Sequence, residues 1–90
     1  GRTVQLVAVN PNPVYHGEIK VTIDSREEGF FDLEGFDLFG RRAFLQKIEL
    51  DEGRNDLLLD VSLLESGTYY LNMPGQNWRN MPLRFVVARW

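Results

Sequence analysis

The side chains that could do acid–base or nucleophilic chemistry are few and scattered in this sequence. His16 is the single histidine of the 90 residues, and the serines are Ser25, Ser62 and Ser66. None of the serines stands in a G-x-S-x-G turn, and a catalytic triad needs a serine, a general base and an orienting acid brought together. We therefore predict no catalytic residue and no enzyme, and interpret His16 as a turn residue before Gly17.

Patterns that bind metals or cofactors are also missing. A zinc site takes three or four nitrogen or sulfur ligands, whereas the chain has one histidine and no cysteine. The carboxylate pairs Glu27–Glu28 and Asp51–Glu52 lie in predicted loops, where solvation and turn formation explain them. The segment DEGRND (residues 51–56) lacks the D-x-[DN]-x-[DN]-G spacing of a calcium loop, and no G-x-G-x-x-G or P-loop occurs. The sequence therefore predicts no metal and no cofactor.

Charge and composition narrow the classes of partner. The net charge is −3 and the pI is near 5.0, which argues against a nucleic-acid partner because such a partner selects a clustered basic face. No apolar run approaches the ~18 residues of a membrane-spanning helix, and the start has no signal-peptide layout. Ninety residues predict one domain over residues 1–90, and since the chain starts at Gly1 without an initiator methionine, we expect a fragment of a larger protein or a processed piece of one.

The elements that must position any site are β-strands, because apolar residues alternate with a period of two. In the last strand, for example, Leu83, Phe85 and Val87 are predicted to face inward. Turn residues separate segments at a spacing of roughly ten residues, which favours an all-β, seven-stranded, immunoglobulin-like antiparallel β-sandwich. The predicted strands are Thr3–Val9, Ile19–Asp24, Phe30–Leu38, Arg41–Leu50, Asp56–Leu63, Thr68–Met73 and Leu83–Arg89.

Some residues inside these strands depart from the simple alternation. Pro11 and Pro13 cannot donate to a ladder and are expected to end the first strand. Gly35 indicates a bulge or a close backbone approach in the third strand. Phe30 and Phe36 lie on the face of that strand opposite the core, where they would cover an edge or form a partner patch.

The segment FDLFGRR (residues 36–42) is predicted to be the hairpin that joins the third and fourth strands. Gly40 supplies the backbone freedom of the turn. Asp37 is placed to accept hydrogen bonds from the N–H groups of the turn. Arg41 is then able to pair with Asp37 or to lie along the sheet.

Two functions stay open from the residues alone. Trp78, in a polar loop, and Trp90, at the chain end, could stack on sugars in an accessory carbohydrate-binding module. A purely structural spacer or adhesin module of a surface protein is the second alternative.

The turns, taken in order, resemble the type A C-terminal sorting domain of the type IX secretion system, found at the C-terminus of surface and secreted proteins of Bacteroidetes. That family has a PNP motif with a glycine turn after it, a D-L-x-G-R hairpin, a G-x-N turn, a D-L-S-x-L-x-x-G-x-Y segment and a closing apolar strand with basic flanks. The matching residues here are Pro11, Asn12, Pro13, Gly17, Asp37, Leu38, Gly40, Arg41, Gly53, Asn55, Asp60, Val61, Ser62, Leu64, Gly67 and Tyr69.

The resemblance implies a secretion signal and not a catalyst. It implies recognition by the type IX outer-membrane translocon, removal by a surface sortase-like peptidase with a cut upstream of or near Gly1, and export through the periplasm to the outer-membrane surface or beyond. The expected partners are thus the translocon and the peptidase, with no nucleic acid, no membrane span and room for an edge-strand dimer. The residues expected to carry recognition are Pro11, Asn12, Pro13, Gly17, Asp37, Gly40, Arg41, Gly67, Tyr69, Arg84, Phe85, Val86, Val87 and Arg89.

We place the expected contact surface on the terminal strand, Leu83 to Arg89, and its neighbours. An edge strand presents unpaired backbone groups that a partner sheet can extend.

Overall fold

Seven strands form in the part of the chain that the computed structural model describes, residues 4–75 and 81–89. They are β1 (Val4–Asn10), β2 (Glu18–Ser25), β3 (Gly29–Asp37), β4 (Arg42–Leu50), β5 (Gly53–Asp60), β6 (Gly67–Asn72) and β7 (Leu83–Val87). The described residues contain no helix, and therefore no helix that is long and apolar enough to cross a membrane. Trp78 and Trp90, on which the sugar-binding alternative depends, lie outside the described residues.

The strands pack as two antiparallel sheets, which confirms the predicted immunoglobulin-like sandwich. One sheet has the order β1-β2-β5 and the other the order β4-β3-β6-β7. All the ladders between neighbouring strands are antiparallel. The inner faces of the two sheets enclose a single apolar cluster, as sheet-on-sheet packing requires.

The core consists of the residues that the period-two pattern turns inward. On β7, Phe85 and Val87 are buried as predicted and Leu83 is half-buried, and the same alternation buries Tyr69 and Leu71 on β6. The rings of Tyr69 and Phe85 stack with centroids 5.6 Å apart, which adds a directional contact to the burial of apolar area.

The fifth strand begins earlier and ends earlier than the sequence indicates. We predicted Asp56–Leu63, with residues 51–56 as a turn, but β5 runs from Gly53 to Asp60. The cause is the buried side chain of Asn55, whose Oδ1 accepts from Asp51 N–H at 2.9 Å and whose Nδ2 donates to Asp51 O at 2.9 Å. These bonds satisfy the backbone of the tight connection, so the chain re-enters the sheet at once.

Gly35 marks a bulge and a close approach together. The register of β3 against β4 shifts between Gly35 and Phe36. A Cβ atom built on Gly35 would collide with the ring of Phe44, so that ring packs directly on the glycine backbone. The prediction for this position is confirmed, and the bulky partner explains why a glycine stands inside the strand.

Glu34 is a polar residue for which the alternation is misleading. It lies on the outer face of β3, as predicted, yet only 7% of its surface is exposed. Its Oε1 accepts from Asn72 Nδ2 at 3.0 Å, and Arg42 Nη1 lies 3.7 Å from its Oε2. A buried carboxylate needs such partners, and those partners come from both neighbouring strands.

Candidate recognition site

Motif residues that are far apart in sequence meet at one end of the sandwich. The register of the ladders pairs Asp37 with Tyr69 and Gly67 with Val87. On the other sheet, Val61 N–H donates to Gly17 O at 2.7 Å. We call this region the motif end and define it as residues 14–17, 37–41, 60–67 and 87–89.

The PNP motif closes the outer edge of β7 with a side chain. Asn12 Oδ1 accepts from Val86 N–H at 3.0 Å, and Asn12 Nδ2 donates to Arg84 O at 3.1 Å. Immediately after the motif, Val14 N–H donates to Val86 O at 2.7 Å and Val14 O accepts from Ala88 N–H at 2.8 Å. The side-chain amide of Asn12 thus makes the two hydrogen bonds that a peptide group of a neighbouring strand would make, and the backbone of Val14 makes the next two.

This arrangement corrects the expected mode of recognition. β7 is the last strand of its sheet, but four backbone groups on its outer side, from Arg84 to Ala88, are already bonded. A partner strand can therefore not extend the sheet there while residues 12–14 stay in place. The prediction of an unpaired edge was wrong because the covering segment is more than 70 residues away in sequence.

The hairpin at residues 37–41 is built around the carboxylate of Asp37, as predicted. Its Oδ1 accepts from the N–H groups of Phe39 and Arg41, each at 2.9 Å, and its Oδ2 accepts from Arg41 Nε at 2.8 Å. Gly40, at φ 81°, takes the left-handed conformation that the turn requires. Desolvation raises the pKa of Asp37, but the hydrogen bonds and the charge of Arg41 outweigh it, so that the pKa lies below its usual value.

Arg89 holds the connection between β5 and β6 against the end of β7. Its Nη2 donates to Val61 O at 2.6 Å, and its Nε donates to Leu64 O at 3.0 Å. Its backbone N–H donates to Ser66 Oγ at 2.9 Å. The planar guanidinium suits this geometry because it presents several donors in a fixed fork.

Three of the residues expected to carry recognition are buried in the core. Phe85 and Val87 face the other sheet, and Tyr69 is 7% exposed and donates its hydroxyl hydrogen to Glu65 O at 2.7 Å. Burial, helped by the nearby carboxylates of Glu65 and Asp37, raises the pKa of Tyr69. In the folded domain these side chains offer a partner little or no surface.

Large apolar side chains at the motif end are exposed instead. Leu38 is 64% exposed, Phe39 81% and Leu63 96%. The first two also line one side of a surface depression of about 250 Å³, opposite residues 65–69. Sequence reasoning did not select Phe39 or Leu63 because an apolar residue next to a turn is indistinguishable from one that folds back into the core.

The residues considered for catalysis serve local structure. Ser66 accepts from Arg89, and Ser25 donates its hydroxyl to Glu27 O at 2.5 Å. His16 is exposed between β1 and β2. Within residues 4–75 and 81–89, no group of three or more His, Cys, Asp or Glu side chains is placed to hold a metal ion.

Comparisons with known proteins agree with the fold and identify the family. The sequence profile of the secretion system C-terminal sorting domain matches residues 8–87. No curated protein sequence matches the chain. Among solved structures, a β-glucosidase from Erythrobacter marinus aligns with 97% of this chain at a TM-score of 0.51 and 11% identity. A β-glucosidase from Listeria innocua, in complex with gluconolactone, aligns with 98% at a TM-score of 0.49 and 11% identity. This chain spans 16% of each of those enzyme chains, and at 11% identity the likeness to the Erythrobacter marinus enzyme shows the fold alone.

The fold and the motif end together define a class, an all-β immunoglobulin-like sandwich whose turn motifs converge on one end. Within that class the match is specific and covers nearly the whole chain. The chain belongs to the secretion system C-terminal sorting domain family, whose members direct export by the type IX secretion system to the cell surface or beyond.

Proposed function

We propose that this chain is a sorting signal recognised in the periplasm by the type IX outer-membrane translocon and then removed by a surface sortase-like peptidase. In this proposal residues 1–90 form one domain of a larger secreted protein, which is exported through the periplasm to the outer-membrane surface or the medium. The cut falls upstream of or near Gly1. The observation that supports this most is the family match over residues 8–87.

The geometry of the motif end supports the same proposal. The contact of Val61 with Gly17 and the fork of Arg89 use hydrogen bonds between segments distant in sequence, and the ladder between β3 and β6 places the Asp37 hairpin beside Tyr69. The motif residues therefore build one three-dimensional surface and would be read together as a folded unit. A partner that reads β7 would use its outward side chains, Arg84 and Val86, because the backbone edge is covered.

A fusion experiment tests the proposal. Residues 1–90 are fused to the C-terminus of a periplasmic reporter and expressed in a type IX-competent host and in an isogenic host that lacks the translocon. We expect the reporter on the surface or in the medium of the first host and in the periplasm of the second. We also expect the mass of the exported reporter to show that the domain has been removed.

Two outcomes would contradict the proposal at different points. Retention of the reporter in the periplasm of the competent host would refute the sorting function. Export of an uncut fusion would refute a cut within the fused residues near Gly1 while leaving the sorting function in place.

A further inference from the structure

The β3–β4 turn combines exposed apolar side chains with a backbone held by several hydrogen bonds. The Asp37 N–H donates to Arg41 O at 2.8 Å, and Asp37 O accepts from Gly40 N–H at 3.1 Å. Together with the three bonds of the Asp37 carboxylate, these contacts hold the turn in one conformation. A partner that binds this turn therefore loses little conformational entropy in ordering it.

What the turn offers outward is Leu38 and Phe39. They are adjacent, 64% and 81% exposed, and project from the tip of the hairpin. Buried aromatic and large apolar anchors contribute most of the binding energy of typical protein interfaces. We call this pair the apolar knob.

The charges around the knob have one dominant sign at the surface. The side chain of Arg41 is 76% exposed and that of Arg42 is 55% exposed, whereas their carboxylate partners Asp37 and Glu34 are 22% and 9% exposed. The Arg41 guanidinium also lies 5.4 Å from the centre of the Phe39 ring. The solvent-facing charge is therefore positive on the side of the knob where Arg41 and Arg42 lie, although the chain as a whole is negative and the exposed Glu65 lines the neighbouring depression.

We propose that the apolar knob inserts into an apolar cleft with an acidic rim on the export-machinery protein that reads this domain. This inference rests on the proposed sorting function and names the surface and the chemistry of its partner. An apolar cleft matches Leu38 and Phe39, and an acidic rim matches Arg41 and Arg42. The depression beside the knob is lined in part by the exposed residue Glu65, so the acidic rim belongs on the side of Arg42, which does not line the depression.

The test compares serine substitutions in the fusion described above. Leu38→Ser and Phe39→Ser remove the knob, and Leu58→Ser is the matched control because Leu58 is 67% exposed on β5, in the other sheet. We expect each knob variant to lower the exported fraction by about tenfold, while the control exports like the wild type. Because all three side chains are exposed, the melting temperature of the purified 90-residue chain should not change.

A charge reversal tests the acidic rim. Arg42→Glu should also lower export, whereas Arg26→Glu, an exposed residue after β2, should not. Because Arg42 also pairs with the buried carboxylate of Glu34, export is compared at a temperature at which circular dichroism shows the purified Arg42→Glu chain to be folded. If Arg42→Glu exports like the wild type, the acidic rim is wrong.

Three further results would overturn the knob itself. Normal export of both serine variants would do so directly, and because the wild-type fusion is still exported, the sorting function would survive. Reduced export of Leu58→Ser to the same degree would show a general effect of surface polarity. If sedimentation shows that the wild type is a dimer, that Phe39→Ser is a monomer and that export is unchanged, the knob is a contact between two copies of this chain.

Discussion

The side chain of Asn12 bonds to the backbone of β7 where a neighbouring strand would otherwise lie, and its contribution to the free energy of unfolding can be predicted. Asn12→Ala removes one accepted and one donated hydrogen bond to β7, at 3.0 and 3.1 Å. A net hydrogen bond contributes about 0.5–1.5 kcal/mol. Since both bonds of Asn12 are exposed, we expect the free energy of unfolding to fall by about 1–2 kcal/mol. For a domain of this size that corresponds to a drop in melting temperature of roughly 4–15 °C.

The assay is urea denaturation followed by far-ultraviolet circular dichroism, with Asn10→Ala as the matched control. Asn10 is also an exposed asparagine and is two residues away, and its side chain makes no hydrogen bond among the described residues. Hydrogen exchange gives a local readout, because the Val86 amide should lose protection in Asn12→Ala and keep it in Asn10→Ala.

Two results for Asn12→Ala would contradict the role of its side chain at the edge of β7. If Asn12→Ala is as stable as Asn10→Ala and the Val86 amide stays protected, the side chain does not cap β7. If stability falls but Val86 stays protected, the loss comes from the turn around the PNP motif and not from the edge of the sheet.

Two further predictions concern the residues that hold the motif end together. Arg89→Lys should lower the free energy of unfolding by about 1–2 kcal/mol, because one ammonium group cannot reproduce the fork to the carbonyls of Val61 and Leu64. Urea denaturation measures this loss, with Arg84→Lys as the control. Equal stability of the two variants would contradict the prediction. The lowered pKa of Asp37 means that its ionised form stabilises the fold above the unfolded pKa near 3.8 and that this contribution is lost as the pH falls through the folded pKa. Melting temperatures between about pH 6 and pH 2 should therefore fall less steeply for Asp37→Asn than for the wild type, and parallel curves would refute this.

Local physics explains why the strands and the hairpin were predictable from the sequence. A strand turns alternate side chains to opposite faces, so the burial of Tyr69 and Leu71 on β6 follows from their spacing. The Asp37 turn is also local, because all its hydrogen bonds join residues no more than four apart. For the same reason the bulge beside Gly35 was expected from the glycine alone, although its neighbour Phe44 was not.

Contacts between side chains that are far apart in sequence could not be predicted in this way. The buried state of Glu34 depends on Asn72, which stands 38 residues further along the chain. The ordered motifs supplied the family, but they did not show that Phe39 and Leu63 would be exposed at the end where the motifs meet. Exposure at a turn depends on what the rest of the fold leaves uncovered.

The sequence by itself determined the strands, the sandwich and the family, because period-two alternation and turn chemistry are properties of neighbouring residues. Only the tertiary structure decided how the edge of β7 is used. Asn12 and Val86 are 74 residues apart, and only the folding of both sheets brings them within hydrogen-bond distance. That contact changes the terminal strand from an open edge into a covered one. The exposed apolar surface of the motif end lies instead on the turn between β3 and β4 and on the β5–β6 connection.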